Sequence, residues 1–308
     1  MSIRLHMLNG FLRLFEKPKL ARAKTPDDLR KPFEFKARFL FPAPRKTHFG
    51  DDVLQVGAHS VPAHWAVAEK ATKDRVILYF HGGGYVFGSP RTHRAMLARL
   101  SAMTGMAACL PKYRLAPENP FPAAIDDALV AYRALLDRGI APDRIIMGGD
   151  SAGGGLVLAL LGEIIVQSLP QPAGVFALSP LTDVSFSGAS FTGNEQSDVM
   201  LPAERAADMA HLYLQDHSPD DARASPIKAH FSAKTPVYLT ASDSEILLDD
   251  TRRMTTHLRD QGVSVTERIV HNHPHVWHIF QRMLPEADQG LHDIAAWIKP
   301  LLLRSDGN

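Results

Sequence analysis

Residues 143–165 read DRIIMGGDSAGGGLVLALLGEII: a short apolar run, then Gly149, Asp150, Ser151, Ala152 and Gly153, then an apolar segment of helical length. A strand that turns sharply into a helix produces this pattern, because glycines at 149 and 153 remove side chains where strand and helix crowd together. Such a turn exposes the Ser151 hydroxyl, and the helix N-terminus behind it favours developing negative charge. Serine in that setting is a candidate nucleophile. A dinucleotide site would instead want GxGxxG after the first strand and an acidic residue ending the next, and that pattern is absent.

Working outward, short apolar runs alternate with helix-patterned segments from Val76 onward. Candidate strands cover 76–80, 106–111, 144–147, 175–179, 237–241 and 263–270, and helical patterns cover 92–103, 123–137, 152–167 and 248–260. Alternation of this kind predicts an α/β fold: a mostly parallel central sheet flanked by helices. Ahead of it, DVLQVGAHSVPAHWAVAE (52–69) has strand-like alternation and predicts one or two antiparallel strands at the sheet edge. Two stretches break the rhythm, the first forty or so residues and residues 184–224. Long insertions in α/β enzymes are often lids. The expected organisation is 1–45 as the first part of a helical cap, 46–183 as core, 184–224 as the rest of the cap, and 225–308 as core. Within the first part, Leu5, Leu8, Leu12 and Phe15 fall at helical spacing with Met7, Phe11 and Leu14 beside them, an apolar face able to cover an acyl pocket or to pack on the core.

A second motif follows the strand at 76–80: His81, Gly82, Gly83 and Gly84, then YVFGS. Successive glycines leave backbone N–H groups unshielded, so that they can approach an oxygen that becomes negative in a tetrahedral intermediate. Gly83, Gly84 and Ala152 are therefore the candidate oxyanion-hole donors, and His81 reads as a residue that fixes the loop.

Composition narrows the function classes. The 308 residues carry 34 Lys and Arg against 33 Asp and Glu, so a net charge of +1 gives no broad basic field for nucleic acid or an anionic membrane. Cys109 is the single cysteine and excludes an internal disulfide; within MAACLP it reads as a buried apolar residue. The first twenty residues interrupt their apolar positions with Arg, His and Lys, unlike a signal peptide, so a soluble cytoplasmic protein is expected.

Several motifs now stand in order: HGGGYVFGS from His81, YRLAPENPFPAAIDDAL from Tyr113, GDSAGGGL from Gly149, SPLTDV from Ser179 and PHVW from Pro274. With them the chain resembles, over most of its length, the hormone-sensitive-lipase-like branch of the α/β-hydrolase carboxylesterases, also called the GDXG family. The resemblance implies an α/β-hydrolase fold with a cap built from N-terminal helices and a later insertion. It implies Ser151 as nucleophile, Gly83 and Gly84 as oxyanion donors, and His275, followed by Val276 and Trp277, as the base. It also implies supporting roles for Arg114, Glu118, Asp126 and Asp127.

The third member of a triad follows the serine and precedes the histidine in this fold. The loop after the strand at 237–241 reads SDSEILLDDT and offers Asp243, Glu245, Asp249 and Asp250. Aligning the family's DPLRDE pattern on LLDD implies Glu245 in place of the commoner aspartate, with Asp243 as the alternative. Asp249 and Asp250 open a helix, where carboxylates suit the dipole, and Asp183 belongs to SPLTDV. His271, His273 and His275 alternate and would face one way on an extended strand, as metal ligands can, but Pro274 interrupts them and no metal is expected.

The expected activity is a serine carboxylesterase acting on short- to medium-chain esters of small molecules through an acyl-enzyme, with no cofactor. Amidase or lactonase action on the same triad, and a binding protein without turnover, are the competing readings. No nucleic-acid or membrane partner is expected. The C-terminal sheet edge and its helix could support a homodimer.

Overall fold

The computed structural model describes residues 2–303. Its strands are Thr47–Val56 (β1), His59–Ala68 (β2), Thr72–Phe80 (β3), Met106–Pro111 (β4), Ile145–Asp150 (β5), Gly174–Leu178 (β6), Val237–Ser242 (β7) and Val265–Val270 (β8). They form one eight-stranded sheet in the order β1-β2-β4-β3-β5-β6-β7-β8. Every pairing from β4 to β8 is parallel, while β1 pairs β2, and β2 pairs β4, antiparallel. The chain thus has the mixed sheet expected, with the antiparallel strands at one edge.

Helices Ile3–Phe11 (α1), Lys17–Arg22 (α2), Asp27–Leu40 (α3), Pro90–Thr104 (α4), Ala123–Asp137 (α5), Ala152–Val166 (α6), Ala189–Gly193 (α7), Ala206–Leu214 (α8), Leu248–Asp260 (α9) and Pro285–Leu303 (α10) complete the fold. Side chains alternate across a strand, so the apolar run of β3 supplies both faces. Val76, Leu78 and Phe80 join the core beneath α5, α6 and α9. Ile77 and Tyr79 join the opposite core with Met96, Leu97 and Leu100 of α4 and Ile294 and Ile298 of α10.

Three expectations shift. Strand β5 runs on to Asp150, because Gly148 pairs with Phe176 on β6 and leaves room for that residue's ring. The last strand begins at Val265, not 263, since the Val263 amide closes the end of α9 on Leu258 O at 3.0 Å. In α1 and the π-helical turn that follows it, Leu12–Glu16, Leu5 and Leu12 are buried in the core beside Leu8, whereas Met7, Phe11, Leu14 and Phe15 face solvent. The helix therefore carries two apolar sides. Met1 and residues 304–308, the outer ends of the first and last segments expected from sequence, lie outside the described residues.

Backbone approaches backbone closely at the β5–α6 turn. A Cβ at Gly149 would overlap the Gly153 carbonyl, and one at Gly153 would overlap the Phe80 carbonyl at the end of β3. Both neighbours are backbone and cannot rotate away. Gly153→Ala should lower stability by about 2 kcal/mol or more, read as a lower urea midpoint. Gly10→Ala, where a Cβ meets nothing within 4 Å, should leave the midpoint unchanged or slightly raised.

Candidate active site

Parallel strands bring their carboxyl ends to one edge, and the candidate residues sit on the loops that leave it. Ser151 follows β5 directly and adopts φ 52°, ψ −122°, a sparsely populated region for a residue with a side chain. It is held there on both sides: its amide donates to Leu178 O at 2.8 Å, and its carbonyl accepts from Gly155 N at 3.0 Å and Leu181 N at 2.9 Å. Ala152 begins α6, so its amide has no acceptor within the helix.

The HGGG loop leaves the end of β3, the strand beside β5. Gly83 and Gly84 take φ 121° and 59°, and among the described residues neither amide donates a hydrogen bond. A side chain at Gly83 would overlap the Phe87 carbonyl, and one at Gly82 would overlap the Asp150 carboxylate. Asp150 is buried and accepts from Tyr79 Oη at 2.8 Å, with His93 Nε2 at 3.3 Å from its other oxygen. Burial opposes its ionisation, but His93 and the two hydrogen bonds outweigh that and hold its pKa below the ordinary value. His81 Nδ1 lies 2.9 Å from Gly82 O, and its ring stacks on Tyr113 with centroids 4.4 Å apart. Burial, then repulsion from His93, drives its pKa down to about 3, so it is neutral and serves to fix the loop.

Of the candidate acids, the structure brings Glu245 to His275. Glu245 Oε2 lies 2.6 Å from His275 Nδ1, while Oε1 accepts from Ser242 N at 2.7 Å and Ser179 Oγ at 2.8 Å. Asp243 pairs instead with the exposed His271 at 2.7 Å and accepts from Asn272 N at 2.8 Å. Asp183 is engaged by Ser185, Ser187 and Arg253, Asp249 by the Ser190 amide, and Asp250 by Thr182 and the Asp183 amide. Among the described residues no cluster of three or more His, Cys, Asp or Glu is arranged to hold a metal ion. Asp127 binds Arg114 at 2.8 Å and Glu118 binds Arg30 at 2.7 Å, both as ties between segments, and Asp126 lies in the first turn of α5.

His275 is 3% exposed, and its Nε2 is buried without a hydrogen-bond partner. With Nδ1–H donated to Glu245, the neutral ring presents Nε2 as a free base. Burial pushes the ring toward the neutral form, but the charge and hydrogen bond of Glu245, then Asp198 and Asp150, outweigh it and raise the pKa above the ordinary histidine value. Ser179 joins the parts: its hydroxyl donates to Glu245 and accepts from Val276 N at 3.4 Å, one residue after the carbonyl that holds the Ser151 amide.

Sequence reasoning missed a further layer. Asn194 Nδ2 donates to the carbonyls of Asp243 at 2.9 Å and Glu245 at 2.8 Å, Ser197 Oγ to Ser244 O at 3.0 Å, and Asp198 Oδ2 accepts from Ile246 N at 3.0 Å. These side chains hold the backbone on either side of Glu245. Arg13 and Lys17 in turn donate to Ser197 O at 3.2 Å and Asp198 O at 2.8 Å. Cations within an otherwise apolar stretch were the available signal for that contact.

A serine at a strained strand-to-helix turn, a glycine loop on the adjacent strand and a histidine after the last strand of a mostly parallel sheet are the architecture of an α/β hydrolase. A family model described as alpha/beta hydrolase fold matches residues 77–279. An acetyl-hydrolase of Streptomyces hygroscopicus is 35% identical over 248 residues, covering 80% of this chain and 82% of that protein. An esterase of Acinetobacter venetianus is 34% identical over 236 residues, 76% of this chain and 78% of that one. The crystal structure of an esterase from the bacterial hormone-sensitive lipase family superposes with a TM-score of 0.91 at 38% identity, covering 98% of this chain and 99% of the other. The chain belongs to the α/β-hydrolase family, in its hormone-sensitive-lipase-like branch.

The geometry separates the two acid candidates without any substrate. Removing the Glu245 charge removes a cause that raises the His275 pKa, so Glu245→Gln should lower it in an NMR titration. Asp243→Asn, which alters only the pairing with His271 and Asn272, should leave the His275 titration in place.

Proposed function

We propose that this chain is a serine carboxylesterase in which Ser151, His275 and Glu245 form the triad, acting on short- to medium-chain esters of small molecules. The observation that carries the reading is the buried His275, with Nδ1 engaged by Glu245 and Nε2 unpartnered. The names of the relatives, esterase and acetyl-hydrolase, agree with it.

In the proposed reaction the Ser151 hydroxyl attacks the ester carbonyl while His275 Nε2 takes its proton. The new oxyanion lies before the amides of Gly83, Gly84 and Ala152, each contributing about 3 kcal/mol to the transition state by the usual scale of such donors. As the tetrahedral intermediate collapses, the imidazolium returns its proton to the departing alkoxide, leaving an alcohol and an acyl-Ser151. Water then attacks the acyl carbon, giving its proton to His275, and the acid departs as Ser151 recovers a proton. Glu245 holds the ring in the tautomer that this sequence needs and stabilises its charged form.

Segments 1–45 and 184–224 serve as the cap in this reading. For 184–224 the support is in two contacts. Tyr213 on α8 stacks on Tyr85 of the glycine loop with centroids 3.8 Å apart, and Met209 Sδ stands 2.6 Å from where a Gly84 Cβ would be. A side chain pressed on an oxyanion donor leaves little space for a long acyl group beside it.

Ser151→Ala should reduce kcat by at least about 10⁴-fold with an unchanged melting curve, and EDTA should leave the native rate intact. Undiminished hydrolysis by that variant would overturn the triad. Across p-nitrophenyl esters from acetate to palmitate the native rate should be greatest on short chains, and Met209→Ala should move the optimum toward longer ones. A native optimum at long chains would contradict the role given to α8.

A further inference from the structure

Exposed apolar side chains and positive charge are concentrated in the same part of this molecule. Of the twelve large apolar side chains exposed among the described residues, eight lie within the first 40. Ile3, Met7, Phe11, Leu14 and Phe15, from 50% to 81% exposed, recur at the helical interval and make one continuous stripe along α1 and its π-helical turn. The Phe11 and Phe15 rings stand 5.2 Å apart. This stripe lies opposite the side that Leu5 and Leu12 bury in the core.

A second exposed pair, Phe35 and Phe39 on α3, has ring centroids 4.9 Å apart. The Lys36–Glu16 ion pair ties that helix to the π-helical turn, and Phe35 and Phe15 are the sequence neighbours of its two partners. Two apolar ridges therefore adjoin one bridge.

The first 45 residues contain eleven Lys and Arg against four Asp and Glu, so the remainder of the chain is net negative. The near-zero total that argued against a broad basic field conceals this asymmetry. Arg4, Lys19 and Arg22 are exposed and enter no ion pair among the described residues. A second copy is a poor occupant for the stripe, because a two-fold contact would set the basic segment against itself. An apolar ridge among unpaired cations instead matches the boundary between anionic headgroups and acyl chains.

We propose that the first 45 residues dock this protein on an anionic lipid surface, with the α1 stripe entering the headgroup boundary and the Lys and Arg side chains meeting the headgroups. The acidic remainder is repelled by the same surface, which fixes the orientation. The inward side of the same segment, opposite the stripe, adjoins the Glu245 loop: Asn9 donates to Asn272 O at 2.9 Å, and Lys17 to Asp198 O at 2.8 Å. None of the stripe residues belongs to the proposed triad or oxyanion hole, so lipid binding is read out without turnover.

The test is co-sedimentation of the full chain with vesicles of phosphatidylglycerol and phosphatidylcholine, against vesicles of phosphatidylcholine alone, at low and high salt. Binding should require the anionic lipid and weaken with salt. The triple variant Phe11→Ser, Leu14→Ser, Phe15→Ser and the triple variant Arg4→Glu, Lys19→Glu, Arg22→Glu should each bind at least tenfold more weakly, with a native melting curve and circular dichroism spectrum as the check of folding. No binding to anionic vesicles, or binding that both variants retain, would overturn the proposal. So would a native dimer in light scattering that the apolar variant converts to monomer, which would assign the stripe to a second copy.

Discussion

The site depends on a place where there is no room for a methyl group. Gly149, Gly153 and the end of β3 approach until only backbone fits between them, and the chain turns there with Ser151 at a positive φ. The strain, of order 1–3 kcal/mol for such a residue, persists because three backbone hydrogen bonds hold the serine and a largely buried, mostly apolar helix follows it. The HGGG loop answers the same constraint from the neighbouring strand. Its glycines take conformations that only glycine adopts easily, and the Asp150 carboxylate fills the space that a side chain at Gly82 would need.

The fold was legible because its signals are local and redundant. Strands β4 and β7 begin where their apolar runs begin, and α5 and α9 coincide with the helical patterns at 123–137 and 248–260. Where the reading slipped, a distant partner decided: β5 extends through two glycines because Phe176 occupies the space Gly148 leaves and the Gly153 backbone the space Gly149 leaves. The first helix misled in another way. Its periodicity showed that apolar residues recur on a helix, but a helix with apolar residues on both sides has no periodicity that says which side the core takes, and Phe15 went outward while Leu12 went inward.

The site was legible in part. Ser151 and the glycine loop stand on turns whose shape the sequence states directly. The acid did not have that advantage, since four carboxylates share eight residues and differ only in how the loop folds. The choice came from resemblance, and the geometry that brings Glu245 to His275 rests on Ser179, sixty-six positions earlier in the chain. Asn194, Ser197 and Asp198 carry no motif at all. They matter because the 243–246 backbone needs acceptors and donors once it is buried, a demand that is invisible until the loop is built.

The contacts that fasten the first helix have a consequence for the order in which the chain assembles. Ser2 meets Glu286, Asn9 meets Asn272 and Lys17 meets Asp198, so each closure spans most of the polypeptide. Loop closure over such separations is repaid only when the far partner is already in place. The α1 segment, which leaves the ribosome before its partners, therefore finds its seat only after β8 and α10 have been made. Until then both apolar sides of that helix are open, and exposed apolar surface of this kind is what invites aggregation during synthesis.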